Sequence, residues 1–224
     1  VRMYISFSGG IDVPSVNGSV STHTKAKIGW LEGRPLQKGD ELGIKAFARD
    51  EVHICEYRGE GHNLFNTALY NRGGRECHEP LRVVLGDQAK HFTEKGIKTF
   101  SNKIYTLTVE CDRMGFRLDG PEIEHVDSAD IISDGAVFGS IQVPSNGHPI
   151  VLMADRQTTG GYTKIGTIIT ADLPRLSQLP VGDGINFNIV TIDEAQEIYR
   201  AYMERLHKRI TLAHEQSAYV FSFN

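Results

Sequence analysis

Alternation of apolar and polar side chains is the most frequent periodic pattern along this chain. Within Tyr105–Val109, apolar side chains alternate with threonines, which is typical of a pleated strand with two different faces. Asn186–Ile189 repeats this pattern. Short apolar runs bounded by Gly, Pro or polar residues predict further strands at Leu81–Leu85, Ile150–Met153 and Ile165–Ile169. The pattern therefore indicates a mainly β protein.

Turn-forming residues support an antiparallel arrangement. Pro144–Gly147 lies between the apolar segments Ile141–Val143 and Pro149–Met153. Its proline restricts φ and its Asn-Gly pair tolerates a left-handed conformation, so we predict a hairpin here. The chain has 23 glycines, which separate nearly all the predicted strands. Such punctuation is typical of an antiparallel barrel or sandwich.

Helical periodicity is found in two segments. Thr191–Glu194 forms a capping-box sequence and predicts the start of an amphipathic C-terminal helix. A second, shorter helix is predicted at about Phe92–Phe100, with Gly96 weakening it. The apolar stripe of the C-terminal helix is expected to cover the barrel or a partner, and consists of Ala195, Tyr199, Tyr202, Leu206 and Ile210.

Charge and hydropathy exclude several classes of partner. The 24 basic and 28 acidic residues are interspersed and give a net charge of −4. Because no polybasic stripe is present, we expect neither nucleic acid nor anionic lipid as a partner. No apolar run reaches membrane-spanning length, and the first residues do not resemble a secretory signal. We therefore expect a cytoplasmic protein without a membrane segment.

Cysteine and histidine spacing argues against a metal site. Cys55, Cys77 and Cys111 are scattered and form no Cys-x-x-Cys pair, which favours a reducing compartment and packing roles. The histidines in the first third lack the i, i+4 spacing of metal ligands, so no metal is predicted. The sequence also lacks Gly-x-Ser-x-Gly, Walker-type and Gly-x-Gly-x-x-Gly motifs. These histidines are His53, His62 and His78.

Two loop-like segments divide the chain. Tyr57–Asn63 and Arg72–Arg75 are rich in glycine and charge, so we place a subdomain boundary just before Glu79. The predicted divisions are residues 1–78, 79–190 and 191–224. The sequence opens at Val1 and runs directly into a strand-like segment, which we interpret as a truncated or processed chain.

The densest group of reactive side chains is Asp155–Tyr162, directly after an apolar strand. Polar loops at strand ends often carry function. Arg156 offers a fork for a carboxylate or phosphate, and Gln157 with the neighbouring hydroxyls can orient an amide. The glycine pair permits close backbone approach to a ligand. The alternative is a plain turn in which Asp155 and Thr158 satisfy local backbone groups.

Three further polar residues have both a functional and a structural interpretation. Arg113 and Arg117 lie four apart among acidic residues, and could bind an anion or be ion-paired scaffolding. Gln142 stands in an apolar run, where a buried amide must be hydrogen-bonded to backbone or to a ligand. The sequence leaves these alternatives open.

Seven segments, in order, resemble one family, whose members include allophanate hydrolase subunit 2, the carboxyltransferase subdomain of urea amidolyase, and the C-type subunit of 5-oxoprolinase. Two departures stand out: Val20 replaces an arginine that is usual in the family, and the usual lead segment before Gly9 is lacking. The seven segments are Ser8–Pro14, Gly18–Thr22, Gly33–Asp40, Asp112–Gly120, Ile141–Pro144, Asp155–Tyr162 and Thr170–Leu176.

The resemblance implies cyclophilin-like β-barrel subdomains, followed here by the C-terminal amphipathic helix, and a ligand cleft shared with a second, homologous protein of the complex. The function it favours is membership of an ATP-dependent 5-oxoprolinase complex, a hydrolase that opens the lactam 5-oxoproline to glutamate. Its partners would be the A-type and B-type 5-oxoprolinase subunits, and ATP would be bound by the complex. The alternatives are a biotin-dependent carboxyltransferase for urea or a related small amide, with biotin on a separate carrier, and a non-catalytic regulator that binds a histidine-kinase inhibitor.

For either enzyme, the site must hold a planar amide, stabilise an oxyanion and manage one proton. Arginines would bind anionic oxygens, glutamines would orient the amide, and the glycine pair would supply backbone N–H donors. We expect the segment 155–162 to line a cleft within reach of both Gln142 and Arg113. The candidate catalytic residues are Arg156, Gln157, Asp155 and Tyr162; the candidate substrate-binding residues are Arg113, Gln142, Thr158, Thr159, Gly160, Gly161 and Lys164.

Overall fold

The computed structural model describes residues 9–45 and 79–219, with side chains described as far as residue 211. The chain divides into two compact units. One comprises residues 3–58 and 220–224, and the other comprises residues 1–2 and 59–219. The two loop-like segments used to predict a boundary near Glu79 lie outside the described residues, so that boundary stays a prediction.

In the smaller unit, residues 9–45 are held by turns and single β-bridges. Three such bridges join Ile11 to Ile44, Val16 to Ser19 and His23 to Ile28. These contacts give the segment its folded form without an extended strand in the range described.

An ion pair organises the end of this segment. Arg34 donates two hydrogen bonds to Asp40, at 2.8 and 2.7 Å. Together with the N–H of Gln37, the guanidinium lowers the pKa of Asp40 to about 2. Gly33 has φ +69°, and a Cβ there would lie 2.1 Å from the backbone of Lys27, so only glycine fits.

The larger unit is built on one curled sheet. Its strands, and those of a separate ribbon, are β1 Leu81–Leu85, β2 Tyr105–Leu107, β3 Gly115–Asp119, β4 Asp130–Gly135, β5 Ser140–Gln142, β6 Ile150–Leu152, β7 Thr159–Tyr162, β8 Lys164–Ile168, β9 Gly184–Ile185 and β10 Phe187–Ile189. Eight of them form the sheet in the order β10-β1-β8-β5-β6-β3-β2-β9, and all neighbours are antiparallel except β1 and β10. The other two, β4 and β7, form the two-stranded ribbon.

The sheet is nearly closed into a barrel. Its two edge strands, β9 and β10, are separated in sequence by Asn186 alone, so the opposite ends of the strand order must lie close together. Phe187 on β10 stacks on Phe100 at 4.4 Å between ring centroids and also contacts Tyr105 of β2 at 5.9 Å. These aromatic contacts pack beside the edge strand β10. The prediction of a mainly β protein is confirmed.

The predicted strands and hairpin are confirmed, although the bounds of three strands differ by one residue and one strand is shorter by two. Leu81–Leu85 forms β1 as predicted, and β5 pairs with β6 across the turn at Pro144–Gly147. The Gly147 N–H donates to the Pro144 carbonyl, and Gly147 takes φ +73°. The strand predicted over Tyr105–Val109 ends at Leu107, because the chain turns there and Val109 is 85% exposed.

Within the described residues, the barrel is accompanied by three α-helices: α1 Glu94–Asn102, α2 Leu173–Ser177 and α3 Ile192–Tyr219. The capping box of α3 is confirmed: the Glu194 N–H donates to Thr191 Oγ1 at 3.2 Å, and the Thr191 N–H donates to Glu194 Oε2 at 2.7 Å. The apolar stripe of α3 is only partly covered, since Tyr199 and Ile210 are exposed. No helix within the described residues is long and apolar enough to cross a membrane.

Gly96 has a packing role in α1. Thr93 caps this helix by accepting the Gly96 N–H at 2.9 Å. A Cβ on Gly96 would lie 2.4 Å from the carbonyl oxygen of Glu124. The glycine that weakens the helix locally therefore permits its close contact with the neighbouring chain segment.

Candidate functional site

The segment 155–162 begins with an ion pair at the end of β6. Arg113 Nε and Nη2 donate to the two carboxylate oxygens of Asp155, at 2.7 and 2.9 Å. The Asp155 N–H also donates to the Arg113 carbonyl at 2.8 Å. Both side chains are exposed. The structural interpretation of Arg113 as ion-paired scaffolding therefore holds here, and any anion bound by Arg113 must compete with Asp155.

Arg156 is directed along the barrel surface. Its Nε donates to the Ala136 carbonyl at 3.3 Å, and its guanidinium carbon lies 6.0 Å from the centroid of the Phe138 ring. This distance is at the outer limit of a cation–π contact. Gln157 and Thr158 follow and are exposed. Their side chains are thus accessible to a ligand, whereas Arg156 is half-buried.

The prediction that 155–162 is entirely a polar loop is wrong for its second half. Thr159–Tyr162 forms β7 and pairs with β4, with Gly160 opposite Asp134 and Tyr162 opposite Asp130. The sequence signal failed because two adjacent glycines argue against a strand interior. Because successive N–H groups of a two-stranded ribbon point to alternate sides, only Gly160, which is paired with Asp134, would have to separate from β4 before its N–H could serve a ligand.

Gln142 lies beneath this ribbon and carries an unpaired donor. It is 7% exposed, at the end of β5. Its Nε2 is buried and has no hydrogen-bond partner among the described residues. A Cβ on Gly160 would lie 2.3 Å from this nitrogen. Glycine at position 160 therefore leaves room for the Gln142 amide, and the two predicted site residues are in contact.

Lys164 joins the same cluster. Its Nζ donates to Asp134 Oδ2 at 2.8 Å, and Gln88 Nε2 donates to the same oxygen at 2.8 Å. Gln88 Oε1 in turn accepts the Lys164 N–H at 2.9 Å. The Lys164 ammonium is the main cause of a lowered pKa for Asp134. Lys164 also lies opposite Gln142 in the pairing of β8 with β5.

A half-buried histidine contacts the ends of two strands beside the site. His125 Nε2 lies 3.1 Å from the Val143 carbonyl and 3.0 Å from Thr163 Oγ1. Thr163 is fully buried and directly precedes Lys164. Burial lowers the pKa of His125, which favours the neutral ring. His125 packs on Phe92 at 4.6 Å between ring centroids, so the imidazole ties the end of β5 to the start of β8.

The structure thus assembles the predicted residues as two groups at opposite ends of one segment. Arg113 pairs with Asp155 at the start, while Gln142 contacts Gly160 near Lys164 at the end. Among residues 9–45 and 79–219, no group of three His, Cys, Asp or Glu is placed to hold a metal ion. The three histidines weighed as metal ligands, and Cys55 and Cys77, lie outside the described residues.

The family model of the carboxyltransferase domain, subdomain A and B, matches residues 1–189. The chain belongs to this family. It is 38% identical to the C-type 5-oxoprolinase subunit of Escherichia coli over 94% of this chain and 64% of the relative. It is 33% identical to the C-type 5-oxoprolinase subunit of Haemophilus influenzae, over 92% of this chain and 62% of that relative. The chain therefore spans less than two thirds of the length of these curated relatives.

A solved structure agrees on the fold. The crystal structure of the Kluyveromyces lactis urea amidolyase matches with a TM-score of 0.69 at 22% identity, and the match covers 91% of this chain and 13% of that one. At this identity the likeness supports the carboxyltransferase-domain fold alone.

One family segment proves to be structural. Within Thr170–Leu176, Asp172 is 3% exposed and accepts hydrogen bonds from the Arg82 backbone N–H at 2.8 Å and from Arg82 Nε at 3.0 Å. Arg175 lies 3.4 Å from the same carboxylate. This network fastens α2 and its preceding turn to β1. It explains the segment without any ligand.

Four residues that shape the site were not predicted from the sequence. Each depends on a partner far away in the chain: Asp134 and Lys164 are 30 positions apart, and Gln88 and Lys164 are 76 apart. No local motif marks such a pair. The available signal was weak, namely single polar residues beside predicted strands. The missed residues are Gln88, His125, Asp134 and Thr163.

Proposed function

We propose that this chain is the C-type subunit of an ATP-dependent 5-oxoprolinase, which opens the lactam of 5-oxoproline to give glutamate. The observation that carries the proposal is 38% identity to the C-type 5-oxoprolinase subunit of Escherichia coli over 94% of this chain. The relative from Haemophilus influenzae, which has the same name, supports it.

The site chemistry is compatible with a small lactam. Opening the ring adds water across the amide C–N bond, so the carbonyl oxygen must accept hydrogen bonds as negative charge develops on it. The buried Nε2 of Gln142, which has no partner among the described residues, is a donor for that oxygen. Lys164 supplies positive charge next to it in the sheet. Exposed Gln157, Thr158 and Thr159 offer further hydrogen bonds to the ligand.

Proton handling and anion binding are assigned to the other predicted residues. Tyr162 is 41% exposed and its hydroxyl is accessible for general acid or base work. Asp155 positions Arg113 through two hydrogen bonds. Arg156 and Arg113 bind phosphoryl oxygens in this proposal, with Arg113 exchanging Asp155 for the ligand.

The proposed assembly follows from the same resemblance. In this proposal, residues 1–78 belong to a first cyclophilin-like subdomain, residues 79–190 are a second one, and residues 191–224 are a C-terminal helix and tail. The A-type and B-type 5-oxoprolinase subunits complete the enzyme, ATP is bound by the complex, and the complex is cytoplasmic. The half-covered stripe of α3, with exposed Tyr199 and Ile210, is consistent with an assembled state.

A biotin-dependent carboxyltransferase acting on urea is the second candidate. The observation in its favour is 24% identity to urea amidolyase of Saccharomyces cerevisiae over 88% of this chain. A urea carbonyl would use the same amide donor at Gln142. In this case the carboxyl group arrives on biotin from a separate carrier, so the activity would be sensitive to avidin.

The deciding experiment is incubation of the assembled complex with ATP and 5-oxoproline, with glutamate as the measured product. Glutamate formation that depends on both substrates supports the first proposal. Urea-dependent bicarbonate fixation, blocked by avidin and without glutamate formation, would replace it with the second. Unchanged turnover of the Arg156→Ala complex would remove Arg156 from the site.

A further inference from the structure

Two pairs of residues face each other where the ribbon meets the barrel. Gln142 and Lys164 are opposite one another on β5 and β8, beside a register shift in that pairing, and both side chains contact the ribbon. Asp134 and Gly160 are opposite one another in the ribbon of β4 and β7. Asp134 covers the Lys164 ammonium, and Gly160 covers the Gln142 amide.

The barrel side of this junction carries more donors than the ribbon satisfies. Lys164 Nζ and Gln88 Nε2 both donate to a single oxygen, Asp134 Oδ2, at 2.8 Å each. The third donor, Gln142 Nε2, has no partner within the described part of the chain. Buried unpaired donors are rare in native proteins and call for an explanation. A cluster of this kind is suited to a ligand that supplies a carboxylate and a carbonyl oxygen together.

The ribbon is held to the barrel without strand pairing. Its two strands pair with each other and with no strand of the eight-stranded sheet. Its register shifts between Asp130 and Asp134. An isolated two-stranded ribbon is marginally stable in water, so its attachments through side chains decide its position. The Asp134 carboxylate, held by Lys164 and Gln88, is one of these attachments.

We propose that Asp134 is an internal stand-in for the carboxylate of a small amide ligand, and that binding exchanges one carboxylate for the other as the ribbon moves off Gln142. Lys164 and Gln88 then hold the ligand carboxylate, and Gln142 Nε2 donates to its amide oxygen. The ligand class is a planar amide or lactam that also carries a carboxylate. This inference rests on the proposed function and specifies it, since 5-oxoproline has both groups.

The spacing fits one small molecule. Opposite residues on neighbouring strands have Cβ atoms about 5 Å apart. A carboxylate and a carbonyl on the same five-membered ring are within reach of both side chains. A ligand without the carboxylate leaves Asp134 in place, because it offers nothing in exchange for the Lys164 ion pair. The proposal thus predicts discrimination between ligands as well as binding.

The test compares Asp134→Asn with Asp130→Asn. Both remove one negative charge from β4, and Asp130 lies on the same strand without an ion pair to Lys164. Binding of 5-oxoproline and of 2-pyrrolidone, the same lactam without a carboxylate, is measured by calorimetry on the full-length protein, alone and within its assembled complex. We expect Asp134→Asn to bind 5-oxoproline about tenfold more tightly, equivalent to ~1.4 kcal/mol. Asp130→Asn should change the affinity for 5-oxoproline by no more than about twofold. Asp134→Asn should improve the affinity for 2-pyrrolidone by less than it improves the affinity for 5-oxoproline, since 2-pyrrolidone gains only the uncovered Gln142 amide.

Equal affinities of the two variants for 5-oxoproline, or an equal gain for 2-pyrrolidone, would overturn the inference. If Asp134→Asn does not fold, hydrogen exchange of the unaltered protein decides: 5-oxoproline must accelerate exchange of the ribbon amides, and unchanged or slower exchange contradicts the proposal. Glutamate formation by the assembled complex is measured as a second, independent result. Tighter binding by Asp134→Asn in a complex that makes no glutamate keeps this inference and rejects the 5-oxoprolinase proposal. Normal glutamate formation, together with equal affinities of the two variants for 5-oxoproline, keeps the 5-oxoprolinase proposal and rejects this inference.

Discussion

Replacing Gln142 with Met should stabilise the protein while damaging the site. Met has nearly the shape of Gln but no polar terminus, so Gln142→Met removes the buried Nε2 that has no partner among the described residues. Leaving a buried donor unpaired costs about 1–3 kcal/mol. Since the neighbouring Gly160 leaves room for a group of this size, the thioether can occupy the same volume. We expect the free energy of unfolding to rise by about 1–2 kcal/mol.

Urea denaturation followed by far-ultraviolet circular dichroism measures this change. For a slope of about 2 kcal/mol/M, the gain moves the midpoint upward by about 0.5–1 M with an unchanged slope. The matched control is Gln196→Met, the same substitution at an exposed position on α3, where the expected change is within about 0.5 kcal/mol. Ligand binding, measured on the same preparations with 5-oxoproline, should weaken only in Gln142→Met.

The opposite signs of the two effects are the informative result. A residue kept for folding alone would lose stability when replaced, whereas one kept for a ligand can gain it, because functional sites retain groups that the fold does not satisfy. A loss of more than about 1 kcal/mol on Gln142→Met would refute the reasoning. It would mean that the amide is hydrogen-bonded in the native protein and that Gln142 is a structural residue.

Three further substitutions test the packing and polar contacts of the barrel. Gly96→Ala should destabilise by about 1–3 kcal/mol in thermal unfolding despite better helix propensity, because its Cβ would meet the Glu124 carbonyl at 2.4 Å; a stabilised variant would contradict this. Asp172→Asn should lower the free energy of unfolding by about 2–4 kcal/mol, since it breaks the ion pair of the buried Asp172 with the half-buried Arg82. An unchanged midpoint of thermal unfolding would show that this ion pair does not stabilise the protein. Tyr105→Phe should gain about 1 kcal/mol at neutral pH, because the buried hydroxyl lacks a partner in the described chain. Burial raises the pKa of Tyr105 to about 12, so the unaltered protein should lose stability as pH rises from about 10 to about 12 while the Phe variant is spared this loss; parallel pH profiles would count against that.

Local sequence determined most of the secondary structure. Leu81–Leu85 and the hairpin at Pro144–Gly147 were predictable because strand alternation and turn chemistry act over a few adjacent residues. The capping box at Thr191–Glu194 was predictable for the same reason, since both of its hydrogen bonds close within three positions. The resemblance carried by seven segments in order also came from the chain alone, and the family match over residues 1–189 confirms it.

Tertiary structure decided which polar residues meet. Gly160 belongs to a strand because β4 pairs with it, although adjacent glycines disfavour strands locally. Gly96 is tolerated in α1 because a carbonyl from another segment lies against it. Asp134, Gln88 and Lys164 form one cluster only after the barrel has curled, since they are supplied by separate elements.

The physical reason for this division is the range of the forces involved. Backbone propensity, caps and turns are local and are written into neighbouring residues. Ion pairs, close backbone approaches and unsatisfied buried donors depend on which surfaces the fold brings into contact, and a sequence read along its length carries no distance information about them. Gln142 was visible in the sequence as a polar residue in an apolar strand. Only the fold showed that its buried amide nitrogen lies against Gly160 and has no hydrogen-bond partner among the residues described.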